Sequence, residues 1–410
     1  MFTESRRLAS LALLLGLIGC SSEDPAPESG GIAVGLLLPF TGSSSATASN
    51  LERATLYAAD RINAGGGIDG KRVRIISRDT HSEVARGVDE AKFLRDNCVD
   101  AVIGPESAGI AEAIRPELSQ SRRGCDHETA LFISPLVGAG QEPSGQCTEA
   151  WFRLAPSAKA IGEALAKQAN DHAAHRVAIM YSSSPYDQAL GQAAAERFPK
   201  LASGNEVALS VQLDPDAQSY ASAVRAANAA GVTNVILAVS PRAGAILVNE
   251  FDALSSKRPQ WFLSPLLKTE LLVQNVAPQA LEGALGVAPG IYERDGGFPE
   301  AFSMRWQGDQ PLEGAYFYYD AMALLAMALG KAAKDPTLTL DAALLAATKP
   351  TGEPVSWDGI EDGLERIHKG KQLYYSGLTG PLRLQACGSR ASGLTTDWTV
   401  TQGTIVTLAD

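Results

Sequence analysis

Basic residues are scarce in this chain relative to acidic ones. Among 410 residues, Lys and Arg number 35 against 46 Asp and Glu, a formal charge of −11. An acidic chain without a basic block excludes nucleic acid as its partner. Histidine is rare as well, with five residues: His81, His127, His172, His175 and His368. His172 and His175 stand three apart near a predicted helix C-terminus, where partial positive charge is tolerated. That place accounts for them better than a metal does, so no metal site is expected. The five cysteines contain no CxxC pair, which excludes a thioredoxin-like or zinc-ribbon motif. A GxSxG elbow is missing, and no Cys/His or Ser/His set has an orienting partner. The paired acids Glu361 and Asp362 lie in a polar stretch and read as solvated surface. The run GGGIDGK at 65–71 lacks a Ser or Thr after its lysine and stands between a helix and a strand, the reverse of a phosphate cradle. It reads as a turn. No catalytic residue and no cofactor are therefore assigned, and the chain is not expected to be an enzyme. Finally, no apolar run is long enough to span a membrane.

The N-terminus does carry a shorter apolar run. Arg6-Arg7 precede Leu8 to Ile18, which has the length of a signal-peptide core. Leu17-Ile18-Gly19-Cys20 resembles the bacterial lipobox, so residues 1–19 are expected to be removed and Cys20 acylated. Acyl chains on that cysteine would make a stable anchor. Ser21 rather than Asp after the cysteine favours the outer membrane. Residues 20–31 are polar, with Pro and Gly, and read as a lipidated tether.

The length exceeds a usual single core, which points to two lobes. Residues 32–79 set the pattern. Ile32 to Leu38 is a continuous apolar run of strand length, as for a parallel strand covered on both faces, and it stops at Pro39. A helical run follows, with Leu51, Ala54, Leu56, Ala58, Ala59 and Ile62 as its apolar stripe. Gly65-Gly66-Gly67 ends it, where a residue with positive φ is needed. Val73 to Asp79 is the second strand. Strand, helix and strand then alternate along the chain, which predicts α/β architecture with two doubly wound, Rossmann-like lobes. Trp151 to Pro156 is expected to leave the first lobe, Gly286 to Gly290 to return, and Gly377 to Leu384 to form a closing hairpin. Residues 314–330 (GAYFYYDAMALLAMALG) are expected to be a helix buried nearly all round.

Pro39-Phe40-Thr41-Gly42, Ile62-Asn63, Gly66-Gly67-Ile68-Asp69-Gly70 and Asp79 together resemble the opening of the type I periplasmic solute-binding proteins, in their leucine/isoleucine/valine-binding branch of transport receptors. The resemblance implies an N-terminal lobe of 32–155 plus 288–391 and a C-terminal lobe of 156–287 plus 392–410, joined by hinge crossings. It also implies capture of a small-molecule ligand between the lobes and delivery to the permease subunits of an ABC transporter. The chain would be a periplasmic, lipid-anchored monomer. A ligand-sensing or protein-interaction outer-membrane lipoprotein on the same fold, without transport, is the alternative, and Ser21 leans towards it.

Ligands in open α/β sheets lie beyond the carboxyl ends of strands. The predicted strand ends carry Phe40 and Thr41, Ser107 and Ala108, Val137 and Gly138, Tyr186, and Pro241 and Arg242, with Leu266 after Ser264-Pro265. These are the candidate ligand-binding residues, and Tyr186 is the favoured one because its ring could stack on a ligand. In the family pattern a Thr is expected where Gly138 stands, and an acid where Leu266 stands. Losing that acid leaves a ligand ammonium without its counter-charge. A carboxylate-bearing, aromatic or apolar ligand is therefore preferred over an ordinary α-amino acid, with Arg242 as anion partner. Setting Cys20 aside, Cys98, Cys125, Cys147 and Cys387 make two disulfides the natural count in an oxidising compartment. Cys98 and Cys125 each precede a predicted core strand and could face each other at one sheet edge. That would leave Cys147 with Cys387, and the other pairings stay open.

Overall fold

The structure, a computed structural model, describes residues 30–140, 151–292, 296–390 and 392–408. Cys20, Ser21 and Cys147 lie outside the described residues.

The first sheet begins with β1 (Ile32–Leu38), followed by α1 (Ala48–Ala64), β2 (Val73–Asp79), α2 (Val84–Asp96), β3 (Ala101–Ile103), α3 (Ala108–Leu118), β4 (Leu131–Ser134) and β5 (Trp151–Pro156). The second sheet is built from α4 (Ala158–Asp171), β6 (Arg176–Ser182), α5 (Pro185–Arg197), β7 (Glu206–Leu213), α6 (Ala221–Ala229), β8 (Asn234–Ala238), α7 (Pro241–Leu254), β9 (Gln260–Leu263), α8 (Glu270–Gln274) and β10 (Leu285–Pro289). The chain then returns through α9 (Phe298–Arg305), α10 (Glu313–Lys334), α11 (Leu340–Thr348), β11 (Glu353–Val355), α12 (Ile360–His368), β12 (Leu373–Gly377), β13 (Gly380–Pro381) and β14 (Ser389–Arg390). It ends with β15 (Thr395–Thr401) and β16 (Thr404–Thr407). The strand orders are β14-β5-β4-β3-β1-β2 and β16-β15-β10-β9-β8-β6-β7, and β11-β12-β13 form a small third sheet. The first sheet is parallel throughout, and in the second β15 alone is reversed, pairing antiparallel with β10 and β16. This is the expected two-lobed, doubly wound α/β fold.

The apolar run of β1 is buried from Val34 to Leu38, so both faces are covered. A Cβ on Gly35 would lie 2.6 Å from Leu94 Cδ1, so glycine here lets α2 sit directly on the strand. On the other face α1 packs Leu51, Ala54, Ala58 and Ile62 inward. Thr55, not Leu56, completes that stripe, because its hydroxyl donates to Leu51 O at 3.1 Å and needs no other partner. Gly66 (φ 95°) and Gly67 (φ 80°) end α1 as the sequence requires. The helix α10 is buried from Ala315 to Gly330, and all of its neighbours in the first lobe pack around it.

The chain passes between the sheets three times: after β5, after β10 and after β14. Leu285–Pro289 is still paired to β9 and β15, so the return begins after Pro289 rather than at 288. Next to the last crossing, the buried Arg390 donates to Leu154 O (3.2 Å), Thr379 O (2.7 Å) and Pro381 O (3.3 Å). Burial pushes its guanidinium down to about 10, opposed by the charge of Asp320. Asp320 in turn accepts from Tyr375 Oη, the Leu378 and Thr379 N–H groups and Thr379 Oγ1, at 2.7–2.9 Å. Every lone pair that burial strips of water is thereby used.

Cys98 and Cys125 form a disulfide, with Cα atoms 5.4 Å apart. Cys387 is also disulfide-bonded.

Candidate functional site

Between the lobes lies a cavity of about 480 Å³. Its first-lobe wall is the loop after β3 running into α3, with Glu106, Ser107 and Ala108, and the loop after β4, with Leu136, Val137 and Gly138. The second-lobe wall is the β6–α5 loop with Ser182, Ser184, Tyr186 and Asp187, together with Ser240 and Leu266 beyond β8 and β9. All of these follow the carboxyl ends of parallel strands, where the crossover connections leave a crevice.

The structure thus brings together Ser107, Ala108, Val137, Gly138, Tyr186 and Leu266, and leaves four expected residues off this wall. Thr41 is exposed, and its Oγ1 donates to Asp79 Oδ2 at 2.8 Å while its N–H reaches Asp79 Oδ1 at 3.2 Å. Those bonds tie the β1–α1 loop to the end of β2, the edge strand, and away from the crevice. Phe40 packs against the first-lobe core. Pro241 opens α7 at a position where a missing N–H costs nothing. Arg242 is exposed and donates to Gln218 Oε1 at 2.9 Å, so the expected anion partner faces the 214–220 loop. Two aromatic residues near the cleft in sequence, Trp151 and Tyr316, are core. Trp151 stacks on Phe132 (5.6 Å) and donates to Ser134 Oγ, and Tyr316 is 4% exposed.

Gly138 has a clear physical role. A Cβ there would lie 2.3 Å from Pro156 O and 2.9 Å from Tyr186 Cε2. The expected Thr has no room, because the Pro156 carbonyl fills the place of its Cβ and the ring edge of Tyr186 lies beside it. Tyr186 is half-buried, and burial holds its phenol neutral, well above the usual range. Its position comes from α5: Ser184 caps the helix by accepting from the Asp187 N–H (3.3 Å), and Pro185 takes the first helical position.

Two carboxylates stand outside the candidate ligand-binding set, although Asp187 follows Tyr186 directly. Asp187 is 3% exposed and lines the cavity; its Oδ2 accepts from Ser182 Oγ at 2.6 Å. Its Oδ1 has no hydrogen-bond partner among the described residues. Glu106 on the facing wall likewise has a buried Oε2 without a partner. Burial pushes both carboxyls up, offset in Asp187 by the hydroxyls of Ser182 and Ser184 and in Glu106 by its own backbone N–H. The signal was an acid at a strand end in each lobe. In sequence it is indistinguishable from a helix-capping acid. On α3, the Ser107 hydroxyl makes no capping bond, which leaves it and the first N–H groups of the helix facing the cleft.

A family model described as Periplasmic binding protein matches residues 31–375. The chain belongs to this family of solute-binding receptors, and its fold is that of the type I members. Among its relatives is a chemotactic signal transduction system substrate-binding protein, BasB, of Halobacterium salinarum, 25% identical over 88% of this chain and 85% of that one. The fold matches the leucine binding protein LivK of Thermotoga maritima with a TM-score of 0.68, at 16% identity, over 92% of this chain and 98% of that one. It also matches an ABC transporter solute binding protein of R. palustris in complex with benzoate, with a TM-score of 0.61, at 16% identity over 93% and 96% of the two chains. Such proteins are extracytoplasmic, and among the described residues no helix is long and apolar enough to cross a membrane.

Proposed function

We propose that this chain captures a small organic solute in the interlobe cleft and presents it to the permease of an ABC transporter. The observation that carries the reading is the cavity itself. It is enclosed by strand-end loops of both lobes, so rotation about the crossings opens and shuts it. Tyr186 is the group that seals a ligand in, since its ring already spans to Gly138. Lipid attachment at Cys20 would keep the receptor, as a monomer, at the membrane surface, and Ser21 favours the outer membrane. Arg242, the expected anion partner, is turned to Gln218 and does not serve that role in this cleft.

A thermal-shift screen of the purified chain against amino acids, amines, carboxylates, aromatic acids and amides tests this. A ligand that binds only the native state raises the melting temperature. A hit of several degrees that Tyr186→Ala abolishes is the expected result. A folded protein that shifts with no compound would overturn solute capture. A second reading, sensing without transport, is favoured by one observation: the BasB relative is named for chemotactic signalling. It predicts the same ligand-induced shift with no uptake defect on deletion of the gene.

A further inference from the structure

Resting on the reading of the cleft as a solute site, we propose that it selects ligands carrying a cationic nitrogen, an ammonium or amidinium on a mainly apolar body, held by the carboxylates of Asp187 and Glu106.

Asp187 occupies the third position of α5, where an acid ordinarily reaches back to the N-cap N–H. Here that duty is already discharged: the Ser184 N–H donates to Ser182 Oγ at 3.1 Å. The Ser182 hydroxyl in turn donates to Asp187 Oδ2 at 2.6 Å. Oδ1 is left buried on the cavity wall with no donor to it among the described residues. The Ser182 hydroxyl accounts for one oxygen of this carboxylate and not for the other. Glu106 repeats the situation on the first lobe, with Oε2 buried and unpartnered on the same cavity. The residues described as lining the cavity include these two acids and the exposed Glu112, and no Lys, Arg or His.

An ionised carboxylate taken from water without a counter-charge costs several kcal/mol, so such groups pair or take up a proton. A ligand cation between the lobes supplies the missing charge to both walls, and closure then brings the second carboxylate to it. An anionic ligand meets the opposite situation, with two acids and no base. Leu136, Val137, Tyr186 and Leu266 supply the surface for an apolar body.

The inference carries a pH signature. In the empty cleft, burial holds both carboxyls above the ordinary range. The titratable groups facing them are Tyr186 and Tyr318, whose phenols burial keeps neutral, and Glu112. Binding a cation ionises the carboxyls and releases protons. Affinity therefore rises with pH up to the raised carboxyl values and levels off above them.

Isothermal titration of the full chain in mild detergent, with matched probes, tests this. The pairs are 3-methylbutylamine against 3-methylbutanoate and benzylamine against benzoate, with leucinamide and leucine added. Amines are expected to bind, and their matched acids to bind at least tenfold more weakly. Asp187→Asn keeps the acceptor for Ser182 and removes the charge, so it should weaken amine binding tenfold or more and reduce the protons released. Glu106→Gln provides the same test should the first variant fail to fold. If an acid binds as tightly as its matched amine, or if both variants leave amine affinity unchanged, the cation inference is overturned while solute capture stands. If no probe of any charge binds a folded protein, both fall together.

Discussion

Thr41 and Tyr186 both follow strands at their carboxyl ends, yet only one reaches the cleft. The difference lies in what each hydroxyl and ring can bond to. Thr41 finds Asp79 across the β1–β2 edge, and burial of that carboxylate, which alone would push it up, is outweighed by hydrogen bonds from the His81 N–H and from Thr41. Asp79 therefore sits below the usual carboxylate range. A carboxyl lowered in the folded state contributes stability above its unfolded value, near pH 4, and loses it as pH falls through the folded value. Thr41→Ala should cost about 1 kcal/mol at neutral pH. The deficit should shrink as acid titrates Asp79, and ligand affinity should stay within twofold. Urea melts at a series of pH values read the first effect and titration calorimetry the second.

Residue-level reading of the sequence locates strand ends where a residue's place follows from its neighbours in the chain. Ser107, Val137, Gly138 and Tyr186 stand where strand-end logic puts them. Arg242 failed that test because its partner, Gln218, comes from another loop. Asp187 stands outside the candidate set because a capping acid and a ligand-facing acid share one local pattern. Only the burial of its second oxygen separates the two.

Among the elements, α10 was the most legible. Its run of Tyr, Phe, Leu, Met and Ala has no polar face wide enough for solvent, and the helix is buried over 16 consecutive residues. Leu325 is completely buried there, against a first-lobe core that cannot collapse around a void. Leu325→Ala should cost about 2–5 kcal/mol, read as a lower urea midpoint with an unchanged slope. The stretch from 335 to 376 was much less legible. Its helices α11 and α12 are nine residues each and β11 only three, too short for a periodicity to declare itself. Phe93 on α2 is 36% exposed, and Arg78 covers part of its ring at 4.1 Å, a contact that periodicity does not reveal.

For the whole molecule, the Cys98–Cys125 bond closes a separation of 27 residues at the amino-end edge of the first sheet, far in sequence from the hinge. Replacing both cysteines with serine should lower unfolding stability by about 3 kcal/mol by freeing the unfolded chain. A chemical melt of the variant beside the parent measures this, and an unchanged midpoint would mean the bond constrains nothing. Two-lobed architecture was legible from length and alternation alone. The third crossing, expected after residue 391, came from the family resemblance and not from alternation, since nothing in β14, two residues long, marks it as a strand of the first sheet.

That third crossing ties both halves to the end of the chain. Ser389 and Arg390 finish the first sheet and lock it to Leu154 and Thr379. Five to eighteen residues later, β15 and β16 cover the open side of β10, and Trp398 fills the space that Gly286 leaves beside it. A polypeptide interrupted at residue 388 would lack a component of each lobe at once, with β10 left as a bare, pairing-prone edge. Neither half can reach its final packing during synthesis until the closing stretch has emerged. A chain cut there is expected to be open to protease in both halves, and one that keeps β14 to β16 to resist in both.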